Sequence, residues 1–182
     1  MLTITIPATE LFDERNQTFI QTKEQTLQLE HSLVSLSKWE SKWNKPFLSN
    51  EPKTIEQTID YIKCMTITQN VNPDVYTFLS RSNIEEINKY IESPMTATTF
   101  NERSNNNGKK EIITSELIYY WMISFNIPME CQKWHLNRLL TLIRVCNVKN
   151  TPPKKMSKRE ITSQYASLNA ARKQKMNTKG WS

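Results

Sequence analysis

Glycine occurs at only two of 182 positions, 108 and 180, and that scarcity limits the folds open to the chain. Glycine reaches left-handed backbone at no steric cost, so few glycines mean few tight turns and few backbone cradles for phosphate. Nucleotide-binding α/β folds built on glycine-rich loops are therefore disfavoured. A chain of this length forms one domain with appendages and buries a proper core.

Periodicity then distributes strands and helices. Leu2, Ile4 and Ile6 alternate in LTITI, and Leu27 and Leu29 alternate within TFIQTKEQTLQL, which predicts a small hairpin around the polar DERNQ turn. From Leu29 the period becomes helical, with Leu29, Leu33, Leu36 and Trp43 on one stripe. Thr54-Ile-Glu-Gln57 and Ser82-Asn-Ile-Glu85 are capping-box patterns, the second with Ile84, Ile87 and Ile91 behind it, and Asn72-Pro73 reads as N-cap then N1 of a short helix. The polar stretch 101–110 predicts a surface loop. Beyond it, Ile118, Trp121, Met122 and Phe125 define the apolar face of a helix stopping near Pro128, with an antiparallel helix over 129–148 after it. Pro152 and Pro153 end that helix, and Ser157-Lys-Arg-Glu160 opens a last one bearing Ile161, Tyr165 and Leu168 on a narrow strip. The expected fold is mainly α. It comprises a compact multi-helix domain over 1–150 with a small N-terminal β-hairpin, then a basic C-terminal arm over 151–182 with a short helix.

The segment CQKWHLNRLLTLIRVC (131–146) is the one place where thiols and an imidazole share a predicted helical face. Cys131 and Cys146 lie fifteen residues apart, or about 22 Å along a helix, too far to share a metal. A catalytic or zinc site would require Cys131 and His135 to meet His31 or Cys64, the remaining histidine and cysteine. Free cysteine packs as a small hydrophobe, so a core helix is the simpler reading. No Walker loop, GxSxG, HExxH or paired CxxC occurs, and the reading is of a non-enzyme with no metal or cofactor. Three scattered cysteines argue against a disulfide framework. MLTITIPATE lacks signal-peptide features, and LIYYWMISF is too short for a bilayer, so a soluble intracellular protein is expected.

Charge is divided unequally. Residues 149–182 carry nine of the 24 Lys/Arg but one of the 18 acids, leaving 15 bases and 17 acids before them: a body near −2 and an arm near +8. Lys154, Lys155, Lys158 and Arg159 cluster at the start of the last helix, and Arg172, Lys173, Lys175 and Lys179 at its end. Such asymmetry points to an anionic partner, either nucleic acid or an acidic protein surface. The strip of Ile161, Tyr165 and Leu168 favours docking on protein with the bases facing outward.

Three segments together, LEHSLVSLSKWESKW (29–43), ELIYYWMISFNIPMECQKWHLNRLLTLIRVCNVKN (116–150) and SKREITSQYASLNAARKQKMNTKG (157–180), resemble a family of small tail-region proteins of long-tailed bacteriophages. The family is regarded as tail assembly chaperones and is encoded near the tape-measure gene. The resemblance implies a non-catalytic protein that coats the long helical tape-measure protein and keeps it soluble until tail-tube subunits assemble. It implies the host cytoplasm as location, absence from the mature virion, and no cofactor. The tape-measure protein is then the principal partner, self-association is expected, and the tail-tube protein is a further partner. A groove beside the 116–126 and 129–148 helices is the expected client site, with Trp121, Met122, Phe125 and Trp134 as anchors. The rival reading is a structural virion or nucleic-acid-binding protein acting through the basic arm.

Overall fold

The structure is a computed structural model that describes residues 1–13, 17–100, 112–151 and 158–176. The loop read at 101–110, the cap at Ser157 and the proline pair 152–153 lie outside the described residues. The chain divides into two units, residues 1–148 and 149–182. The fold is mainly α with an N-terminal antiparallel β element.

That element is a pair of nested antiparallel ladders. Strand β1 (Leu2–Ile6) pairs with β4 (Gln25–Leu29), and β2 (Thr9–Asp13) pairs with β3 (Thr18–Thr22). Ile4 stands opposite Leu27, and both are buried with Ile6 and Leu29, while Thr3, Thr5, Thr26 and Gln28 face solvent. The period-two alternation thus covers one face and wets the other. On its far edge β4 is met by residues 65–68: the amide of Ile67 donates to the Gln28 carbonyl (2.8 Å), and that of Gln28 donates to Thr68 Oγ1 (2.8 Å). The sequence stripe that began at Leu29 starts four residues later, because Leu29 belongs to β4.

Helix α1 (Leu33–Trp43) is the spine of the body. Ser32 caps it reciprocally with Ser35, and Asn44 ends it in left-handed backbone. Leu33 and Leu36 point into one apolar cluster and Trp39 into another. Helix α2 (Ile55–Met65) opens with the Thr54–Gln57 capping box that its sequence announces. It docks on α1 where Trp39 Nε1 donates to the Gln57 carbonyl (2.9 Å) and Trp43 Nε1 to Asp60 (2.9 Å). Asn72-Pro73 opens a 3₁₀ helix (Pro73–Phe78) as the N-cap and first residue. Helix α3 (Arg81–Glu92) is capped two residues before the expected Ser82. Ser80 and Asn83 form the reciprocal box instead, and Glu85 is freed to pair with Arg81 (2.9 Å).

Helix α4 (Ser115–Ser124) ends before Pro128. Asn126 adopts φ 52°, its amide donates to the Ile123 carbonyl (3.1 Å), and Ile127 donates to that of Met122 (2.8 Å). This is a Schellman stop, sealed by burial of Met122 and Ile127 in one cluster. The single helix expected over 129–148 is broken in two. A 3₁₀ turn (Met129–Lys133) leads through extended Trp134 to α5 (Leu136–Asn150). The break is tertiary in origin: His135 forms a bridge with Ser32, and the Leu136 amide donates to the His31 carbonyl (2.7 Å). Helix α6 (Lys158–Met176) lies in the second unit. Among the described residues, no helix is long and apolar enough to cross a membrane.

Candidate functional site

Two features of the body stand out chemically: a buried histidine pair and an open apolar groove. The pair forms where the β4–α1 corner, α2, α3 and the start of α5 converge. His31 and His135 stand edge to face with ring centroids 5.1 Å apart. His31 Nδ1 shares a hydrogen bond with the Tyr61 hydroxyl (2.6 Å). His135 Nδ1 accepts from the Asn137 amide (3.3 Å), so its Nε2 carries the proton and donates to the Tyr90 carbonyl (3.0 Å). An imidazole therefore caps the first turn of α5.

Burial, reinforced by neighbouring His135, lowers His31 to about 3. Burial likewise lowers His135, against the opposing pull of the Tyr90 carbonyl and Glu30. Both rings are neutral at pH 7. The Tyr90 hydroxyl donates to Glu30 Oε1 (2.6 Å), and burial with that carboxylate raises its pKa. The contacts of His31 with Tyr61, of His135 with the Tyr90 carbonyl and of the two rings with each other join separate elements, which makes the pair a structural rivet. The meeting of His135 with His31 that a metal site would need does occur. Yet no group of three or more His, Cys, Asp or Glu able to hold a metal is present among the described residues. Cys131 packs in the α4–α5 cluster, and burial raises the Cys64 thiol above its ordinary value, away from thiolate reactivity.

The groove lies between α4 and α5. It encloses about 360 Å³ and is lined by Ile113, Trp121 and Phe125 on one side and Leu140, Ile143, Arg144 and Asn147 on the other. Spacing explains both walls: Trp121 and Phe125 sit one turn apart, and Leu140, Arg144 and Asn147 recur at helical spacing on α5. The Arg144 guanidinium stacks 4.1 Å over the Phe100 ring and keeps its charge at the rim. A further concavity of about 570 Å³, between residues 48–52 and Ile112, shares Ile113 with it. Glu40 fixes the position of α4. Its buried carboxylate accepts from the Ser115 amide at the helix start (2.7 Å) and from the Phe47 amide (2.8 Å).

Of the four residues read as client anchors, Trp121 and Phe125 lie on the groove wall. Met122 points away into the core and is fully buried. Trp134 lies under Arg138, whose guanidinium is 4.1 Å from its ring, and does not line the groove. Leu140, Arg144 and Asn147 escaped the sequence reading because the Cys–His face had claimed the wheel of 129–148; their i, i+4, i+7 spacing was the available signal. On the arm, Lys158, Arg159, Arg172, Lys173 and Lys175 are exposed on α6, while Lys154, Lys155 and Lys179 lie outside the described residues. No family model, curated protein or solved structure matches the chain.

Proposed function

We propose that the protein is a non-catalytic binding protein whose α4–α5 groove receives an amphipathic helix, in keeping with its resemblance to phage tail assembly chaperones. The client is then the tape-measure protein, held soluble before the tail tube forms. The observation that carries this reading is α4 itself. SELIYYWMIS has apolar side chains around its whole circumference, a pattern normal for a helix covered on all sides. Here its core face is covered by the body, while Trp121 and Phe125 border an open groove. A helix laid in such a groove is held by a few apolar anchors at i, i+3 and i+4 spacing. Contacts of that kind are weak singly and strong in series, as a displaceable coat requires.

Co-expression with the tape-measure protein of the same phage, followed by pull-down at low and high salt, tests the reading. Apolar capture survives high salt and raises the soluble yield of the client. Trp121→Ala and Phe125→Asp should each weaken retention by about tenfold or more. The exposed bases of α6 support a second reading, phosphate binding by the arm. Retention on DNA that collapses with salt, without capture of the client, would favour it and overturn the first.

A further inference from the structure

Helix α6 has a face whose composition fits one partner on this same chain. Every described side chain of α6 is exposed. Lys158, Ile161, Tyr165, Leu168, Arg172 and Lys175 recur at intervals of three and four residues and so share one stripe. An apolar centre of three residues is thus bracketed by bases at both ends. Ile161, Tyr165 and Leu168 are 39%, 63% and 46% exposed. On the body, the face of α4 turned away from the core carries Glu116, Tyr120 and Ile123 at i, i+4 and i+7. Tyr120 and Ile123 are 63% and 67% exposed, and Glu116, held to its ionised form by hydrogen bonds at the helix start, supplies a negative end.

We propose that α6 of one copy packs along this outer face of α4 on a second copy, joining molecules head to tail. Glu116, Tyr120 and Ile123 on α4 and, read in reverse, Arg172, Leu168 and Tyr165 on α6 follow the same spacing, each advancing seven positions or about 10 Å of helix. They also match in sign, with Glu116 facing a basic end of α6, and the arm near +8 meets a body near −2. The two faces are different surfaces, so the contact is heterologous and adds molecules in series, as a ring or an open chain. This surface adjoins the Trp121–Phe125 groove without using it, and the inference concerns the chain alone, so it stands or falls independently of the client.

Analytical ultracentrifugation of the full chain provides the test. The wild-type protein should form species of increasing mass as it is concentrated. Ile123→Asp, which spoils the α4 face, and Tyr165→Asp, which spoils α6, should each remain monomeric with unchanged circular dichroism. Mixed together they retain one intact α4 face and one intact α6, and should form a species of two chains and nothing longer. Glu116→Lys with Arg172→Glu in one chain provides a second variant set: each alone weakens association, and the pair restores it. A wild type that stays monomeric at every concentration overturns the proposal. So does association untouched by both aspartates, or a mixture that remains monomeric.

Discussion

Helices α1 and α6 make opposite use of their sequences. In eleven residues α1 buries Leu33, Ser35, Leu36, Trp39 and Glu40, and it is capped at both ends. In nineteen residues α6 buries none of its described side chains. Helical stability in proteins comes mostly from packing of an apolar face, and propensity alone supports an isolated helix only marginally. One helix is held by the body that surrounds it; the other keeps its apolar stripe uncovered, and its Ala, Arg, Lys and Gln are there to hold it helical alone. Buried apolar area organises the body, whereas α6 leaves its apolar stripe exposed.

Substitutions can break that contrast, beginning with the largest effect. Leu36→Ala should cost about 2–5 kcal/mol in urea unfolding, because Leu36 is fully buried and its cavity has no solvent to fill it. Glu40→Ala comes next, at about 2–3 kcal/mol, since it strands the amides of Ser115 and Phe47. Glu40→Gln keeps two acceptor lone pairs on one oxygen only and should fall between it and wild type. Acidification acts on the histidine rivet. Both imidazoles titrate below the value of about 6.5 they have when exposed, so below that pH the unfolded chain binds protons that the fold excludes. Stability is full above about pH 6.5 and declines from there toward pH 3, by up to ~1.4 kcal/mol per pH unit for His31. Urea midpoints between pH 5 and 8 check this, and His31→Gln should flatten the profile. Asn126→Ala should cost about 1 kcal/mol through its left-handed φ. At the bottom of the scale, Leu168→Ala should change unfolding of the monomer by less than ~0.5 kcal/mol. A loss as large as that of Leu36 would show that α6 is part of the body and erase the comparison.

What the sequence made legible was local. The alternation in LTITI, the Thr54 box, the Asn72-Pro73 opening and the mainly α class depend on neighbours within four residues, and all appear in the structure. Where two local signals competed, spacing could not choose between them. Ser80 and Ser82 each have a polar residue three positions on, and the earlier pair forms the box. The break at Trp134–His135 was invisible because its cause, pairing with residues 31 and 32, lies about a hundred positions upstream. The same separation hid the histidine pair. At the groove, apolar type identified the α4 wall, but only the packed structure separates Trp121 on its surface from Met122 behind it. Glycine scarcity did not abolish left-handed backbone: Asn44, Asn70 and Asn126 supply it, their short amides making that conformation tolerable.

The hydrogen bond from Ser115 to Glu40 carries a consequence for the order of events as the chain is made. It joins residues 75 positions apart, and closing a loop of that length costs on the order of 4 kcal/mol of chain entropy before any contact compensates it. Residue 115 follows residue 40 by 75 positions, so α1 is synthesised before the bond that seats α4 can form, and the second wall of the groove comes later still along the chain, with residues 140–147. The groove is the last feature of the body to be completed along the chain. A chain interrupted before residue 140 has the segments of the β element and the first core, but not the groove.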